Sequence, residues 1–296
     1  MAECPDFVLC QHQRTAADDE KLFGSMAAGT IGLEAQHVTL AEAAKLGKVA
    51  GIEWIPLNET VEPLRAVKTT AEVEAIRGAA AITDLAMSQV NQIAKPGMTE
   101  KQLAWELEKL MREAGADKMA FDVIVASGPN SALPHHHPGE RPLQSGDTLI
   151  VDMGAELHGY KSDLSRSFYL GDTPSDKFWH VYNLVKLAQQ NTLDNLRPGM
   201  TTKEGDALAR EVIEDAGQAE NFGHGLGHGV GVDIHEEPQL TWRTEYPIPA
   251  GAIITIEPGI YLPGWGGIRI EDLIHLTENG VTAISQCPYQ PVIPIS

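Results

Sequence analysis

The feature that most constrains this chain is a stretch that occurs twice. Laid over GAIITIEPG (251–259), GDTLIVDMG (146–154) matches Gly146 to Gly251, Asp152 to Glu257 and Gly154 to Gly259, each pair 105 residues apart. In both copies an acid ends an apolar run, Leu149-Ile150-Val151 or Ile253-Ile254-Thr255-Ile256, which predicts a buried strand turning at a glycine. A carboxylate placed there is costly unless it is hydrogen-bonded or bound to a cation. A second acid follows each first one, Asp163 eleven residues after Asp152 and Glu271 fourteen after Glu257.

The duplication is larger than one hairpin. PGMT at 96–99 returns at 198–201, and each copy opens a helix with a capping pattern, Thr99 with Gln102 and Thr201 with Glu204. Ahead of the first copy, apolar positions from Val73 to Ile93 recur at helical spacing and predict one long amphipathic helix over 69–94. The order helix, PGMT, helix, strands and paired acids fills 71–170 and again 176–277. Two copies of so long a period do not make a solenoid. They predict an internally duplicated α+β domain with a pseudo-twofold axis, on which the four acids converge. Residues 1–66 carry no catalytic signal: 8–14 suits a strand, 15–29 is acidic and helix-forming, and 39–51 has helical spacing with Thr39 as its N-cap.

With 43% apolar residues, 296 residues can bury one large core or one and a half. The net charge of −19 argues against binding to nucleic-acid phosphates or an anionic membrane surface, and favours cations. No window approaches the roughly 18 apolar residues of a membrane span. The start MAECPDFVLCQHQR lacks a basic region followed by an apolar stretch, so a cytoplasmic protein is expected. Cys4, Cys10 and Cys287 are odd in number and form no CxxC, which suggests reduced thiols.

Four converging carboxylates would repel one another and raise one another's pKa values. Divalent ions remove that penalty, and bridging carboxylates hold two of them about 3.5–4 Å apart. A nitrogen ligand usually joins such a set. GHGLGHGVGVDIHEEP (223–238) offers His224, His228 and His235, with His228 inside a glycine-rich run that permits close backbone approach. His235 lies seven residues further on, an odd separation that a regular strand would place on the opposite face, so either the glycines bend the strand or His235 serves another role. A second cluster, LPHHHPGER (133–141), holds His135, His136 and His137, of which one or two can point inward. Oxygen-rich ligation with one imidazole suits Mn²⁺, Co²⁺, Fe²⁺ or Zn²⁺. Hydrolysis of an amide or ester is the natural reaction class.

Five stretches, ASGPNSALPH (126–135), D-x-G with GYKSDLSR (152–166), GHGVGVDIHE (227–236), TIEPGIY (255–261) and GGIRIED (266–272), resemble those of the pita-bread metallopeptidases. The resemblance covers about 67–296 and is to the proline-specific branch of Xaa-Pro dipeptidase (prolidase) and aminopeptidase P. It implies a truncated α/β segment over 1–66 before a catalytic domain over 67–296, and a dinuclear centre. In that centre Asp152 and Glu257 would each mainly serve one ion, His228 would complete a shell, and Asp163 and Glu271 would bridge. It further implies that His135 and His235 contact substrate and oxyanion, with His224 near them, and that Glu257 relays a proton from the attacking water. Arg269 would orient the site, with Tyr160 and Arg166 standing behind the ligands. Two divalent ions, Mn or Co before Zn or Fe, short proline-containing peptides as substrates, and a homodimer follow from the same resemblance. The sequence before the core resembles only the final portion of the family's N-terminal domain, which leaves substrate size and subunit contacts open. A creatinase-type hydrolase would lack the ligands; a methionine aminopeptidase would keep them, and the 126–135 and 266–272 stretches with the extra N-terminal segment favour the proline branch over such a non-proline aminopeptidase. A non-catalytic or degenerate binding protein of the same fold is the alternative of another class.

Overall fold

The computed structural model describes residues 22–23 and 29–295. The stretch 8–14 and most of 15–29, with Cys4 and Cys10, lie outside the described residues. Cys287 is a buried free thiol. The chain divides into two compact units at Pro63–Leu64. In the first unit, strands Gly29–Glu34 and Ile52–Leu57 pair in parallel around helix α1, Leu40–Leu46. Thr39 and Glu42 close a reciprocal capping box on α1, and the helix ends at Gly47, short of the predicted 51.

In the second unit the repeat becomes two equivalent layers. The first has helices α2, Thr70–Ser88, and α3, Glu100–Glu113, over a sheet ordered Val292–Ile293, Leu164–Leu170, Thr148–Met153, Ile124–Ser127. The second has α4, Asp176–Asn195, and α5, Thr202–Asp215, over a sheet ordered Glu236–Leu240, Gly227–Gly229, Ala252–Ile256, Asp272–Thr277, Gly280–Ala283. Thr69, Thr99 and Thr201 all form the capping box, which satisfies backbone N–H groups that a helix start leaves orphaned. The helix predicted over 69–94 is broken at Gln89, whose N–H turns back to Ala86 and Met87. A separate turn, Val90–Ile93, then aims the Asn91 amide at the carbonyls of Gln290 and Val292.

Each layer has its own core. In the first, Leu103, Leu107 and Met111 of α3 pack with Leu149, Val151 and Met153. Full burial of such side chains stabilises by about 1.5–3 kcal/mol apiece. In the second, Phe178, Val185, Ala209 and Ile213 pack with Ile254, Ile256 and Ile274. Val73 and Ile76 join Ile253 and Leu273 in a third cluster that links the layers. The two strands that carry the acids begin alike: Gly146 and Gly251 both turn at φ +91°, a left-handed conformation that glycine adopts without strain. Among the described residues no helix is long and apolar enough to cross a membrane.

Candidate metal centre

Register brings the acids together. Asp152 lies in the Thr148–Met153 strand and pairs with Ser165, so Asp163 arrives just before the same neighbouring strand. Ile256 pairs with Asp272, which places Glu257 and Glu271 at the matching end of the second sheet. The halves are stitched at this point, since Glu271 N–H donates to the Ser165 carbonyl at 3.1 Å. The strand Gly227–Gly229 lies flush against its neighbours. A Cβ at Gly227 would stand 1.9 Å from the Thr255 carbonyl oxygen, so the glycines around His228 serve close packing of backbone on backbone.

His228 is oriented by that strand. Its Nδ1 donates to the Gly229 carbonyl at 3.1 Å, leaving Nε2 to face Glu257 Oε1 at 3.4 Å and Asp163 Oδ2 at 3.5 Å. Burial, with His235 alongside, pulls its pKa down to about 4, so the ring is neutral at pH 7 and Nε2 offers a lone pair. The rings of His228 and His235 are 4.4 Å apart. The alternation rule fails here because the chain reverses between them: Glu236–Leu240 runs antiparallel to Gly227–Gly229 and carries His235 back beside His228.

The acids are held in a costly state. Burial first, then the charges of Glu271, Asp152 and Glu257, raises Asp163 well above the usual carboxylate range. Glu271 is raised well above it by burial and then by Glu257 and Asp152. Glu257 is pushed up to about 8, mainly by burial. Oδ1 of Asp152 and Oδ1 of Asp163 are buried with no hydrogen-bond partner. Orphaned buried oxygens of this kind call for a cation or water. One ligand atom from each of Asp163, His228 and Glu271 lies within 4.8 Å of the others. The donor set of carboxylates and one imidazole therefore fits a divalent transition ion.

Arg269 organises the surroundings. Its buried guanidinium donates from Nη2 to Asp152 Oδ2 at 2.6 Å, from Nε to Ser165 Oγ at 2.8 Å, and from Nη1 to both the Pro134 carbonyl and the Tyr261 hydroxyl at 3.0 Å. The Tyr261 hydroxyl meets His224 Nε2 at 2.8 Å while His224 Nδ1 donates to Gly225 O. Burial and then the Arg269 charge bring His224 down to about 4, so it accepts from Tyr261 as a neutral ring.

These groups line a cavity of about 610 Å³. His135, His224 and His235 stand on its wall with the acids, and His135 lies close enough to disfavour protonation of the other two. All three consecutive histidines reach the cavity wall, and His136 has its Nε2 committed to Glu100 Oε2 at 2.8 Å.

Two residues expected behind the ligands differ in their placement. Arg166 is buried outside the cavity and acts from behind, donating to the Glu271 carbonyl and, at 2.7 Å, to Asp272 Oδ1. Tyr160 also stays off the cavity wall; its ring packs against the cluster that contains Val73 and Ile76, and its hydroxyl donates to Glu72 at 3.1 Å. The tyrosine of the site is Tyr261, whose position four residues after Glu257 was the only signal for it. Arg243, Thr241 and Thr244 also line the cavity, from a polar loop with no legible pattern.

The profile of metallopeptidase family M24 matches residues 74–278. An uncharacterized peptidase of Bacillus subtilis is 40% identical over 281 residues, 95% of this chain and 78% of that protein. The Xaa-Pro dipeptidase of Pyrococcus furiosus is 40% identical over 234 residues, 79% of this chain and 67% of that protein. The chain belongs to metallopeptidase family M24. Solved structures superpose on it closely: an Xaa-Pro dipeptidase from Bacillus anthracis with TM-score 0.94, 37% identity and 98% and 82% of the two chains covered, and the prolidase from Pyrococcus furiosus with TM-score 0.89, 35% identity and 96% and 82% covered. Its fold is thus the α+β pita-bread arrangement of the M24 prolidases, and the protein is a peptidase of a divalent-metal family. The reading as a non-catalytic binder falls away.

Proposed function

We propose that this M24 peptidase hydrolyses the Xaa-Pro bond of dipeptides, with two divalent ions, Mn²⁺ or Co²⁺ before Zn²⁺ or Fe²⁺, held by Asp152, Asp163, His228, Glu257 and Glu271. The catalytic part is 67–296. The observation that carries the reading is a buried, cation-demanding acid cluster at the floor of a cavity whose wall holds His135 and His235. When bound, the ions would polarise the scissile carbonyl and make water acidic enough to attack near neutral pH.

The chain's own groups do the rest. Glu257, beside neutral His228, is placed to take a proton from the attacking water, a role that suits a carboxylate in hydrogen-bond reach. His135 and His235 are placed to donate to the oxyanion that develops on the former carbonyl. Arg269 keeps Asp152 in place and spends its remaining donors on protein atoms. Arg243 stands on the cavity wall and is suited to the free carboxylate of a dipeptide. An Xaa-Pro amide has no N–H, so selectivity has to come from shape, for which Phe121, Ile124, Ile234 and Leu240 supply apolar wall. The trans isomer is the expected substrate.

The test is the rate on Ala-Pro, Ala-Pro-Pro and Ala-Ala after metal depletion and Mn²⁺ addition. Cleavage of Ala-Pro alone supports a dipeptidase. Cleavage of Ala-Pro-Pro moves the reading to an aminopeptidase P. Cleavage of Ala-Ala alone ends proline selectivity. A cytoplasmic homodimer is the expected working form, and sedimentation of the metal-loaded protein checks the dimer.

A further inference from the structure

The two polar walls of the cavity hang from equivalent points of the repeat. In the second half, Thr202 opens α5; its N–H donates to the Tyr246 carbonyl at 3.0 Å and its hydroxyl to the Thr244 carbonyl at 2.8 Å, fixing the segment that carries Arg243. In the first half, Glu100 opens α3, and its N–H donates to the Arg141 carbonyl at 3.1 Å. Matching bridges, Thr99 to Pro142 and Thr201 to Pro247, mark the correspondence.

Glu100 does more than its counterpart. Its side chain is fully buried, outside the cavity, and both oxygens are saturated. Oε1 accepts from Ser127 N–H at 2.9 Å, Ser127 Oγ at 2.7 Å and Asn130 Nδ2 at 2.9 Å. Oε2 accepts from His136 Nε2 at 2.8 Å and Gly139 N–H at 3.0 Å. One carboxylate thereby ties together the start and end of segment 127–139. His135 sits between two anchors, since the Pro134 carbonyl is held by Arg269 and the His136 ring by Glu100.

We propose that Glu100 is a positioning residue that acts through the His136 ring and the Gly139 amide to fix His135 on the cavity wall. The proposal rests on the Xaa-Pro peptidase reading for its kinetic arm. All five partners of Glu100 are donors, so a group with two accepting oxygens is required. A glutamine can serve the Ser127 side with its carbonyl, but it then presents an N–H₂ to the Gly139 N–H, donor against donor, and His136 has to give up its Nε2 proton to keep its contact. Glu100→Gln thus frees the 134–139 end selectively.

The experiment is a double-mutant cycle on the Mn²⁺-loaded enzyme with Ala-Pro, joined to hydrogen exchange. Glu100→Gln is expected to lower kcat between about tenfold and about a hundredfold, with KM moving less and metal content per chain unchanged. In a His135→Ala background the same substitution should add less than about a twofold loss, because the two act as one unit. Amides of 134–139 should exchange faster in Glu100→Gln while those of Ile124–Ser127 stay protected. A wild-type kcat, an undiminished loss in the His135→Ala background, or unchanged exchange at 134–139 each overturns the proposal. If the wild type fails on Ala-Pro, the peptidase reading falls and the exchange arm still decides whether Glu100 holds the segment. Should Glu100→Gln not fold, His136→Ala, which cuts the same link from the loop side, is carried through the same cycle.

Discussion

Arg166 and Asp272 form an ion pair, Nη2 to Oδ1 at 2.7 Å, with side chains only 3% and 8% exposed. The other carboxylate oxygen, Oδ2, accepts from Gln189 at 2.9 Å and from the Tyr289 hydroxyl, and Arg166 also holds the Glu271 carbonyl. Asp272→Asn leaves a buried guanidinium without its counter-charge. It should destabilise the fold by about 3–5 kcal/mol, read from urea unfolding. A loss below about 1 kcal/mol would mean that water reaches the pair.

Asp163→Asn should abolish hydrolysis of Ala-Pro and remove bound metal by elemental analysis. It should also leave the metal-free protein at least as stable as wild type, because the carboxylate is raised by burial and by three neighbouring acids. Retained turnover would refute a shared bridging role for this residue.

His135→Ala should lower kcat by roughly 10², the usual loss of one oxyanion donor. With His136 engaged by Glu100, an unchanged rate would hand the role to His137.

Stability of the metal-free protein should fall as pH rises from about 6.5 to about 8. Glu257 titrates near 8 in the fold against 4.5 ordinarily, so across that interval the native state holds a proton that the unfolded chain has released. Below 6.5 the neutral ring of His228, at about 4 in the fold, works the other way and offsets the Glu257 contribution, so the fall belongs to the interval above 6.5. Added Mn²⁺ displaces the Glu257 proton, so the thermal shift it produces should grow from pH 6.5 to 8. A flat metal-induced shift by differential scanning fluorimetry would contradict this assignment.

Arg243→Met should raise KM for Ala-Pro by roughly tenfold with little change in kcat, since a carboxylate contact remote from the reacting bond is made equally in ground and transition states. The same substitution should leave Ala-Pro amide unaffected, and an equal effect on both substrates would remove Arg243 from carboxylate binding.

What was legible in the sequence follows from local physics. Asp152 and Glu257 stood out because each interrupts an apolar run at a duplicated place, and Thr39, Thr99 and Thr201 because capping is a short-range hydrogen bond. Glu100 was invisible for the same reason: after a capping threonine it reads as an ordinary first-turn acid favoured by the helix dipole. Only the tertiary fold brings Ser127, Asn130, His136 and Gly139 to it. Period-two reasoning placed His235 opposite His228 because it cannot register a chain reversal. Tyr160 and Tyr261 look alike in composition, and strand pairing alone decides which one meets Arg269.

The separate cores of the two layers have a consequence for biogenesis. Asp152 and Asp163 belong to one layer, whereas His228, Glu257 and Glu271 belong to the other, so neither layer alone can assemble the full constellation. On the proposed centre, hydrolysis thus requires both layers to be folded, which would keep a half-formed molecule from acting on the peptides around it.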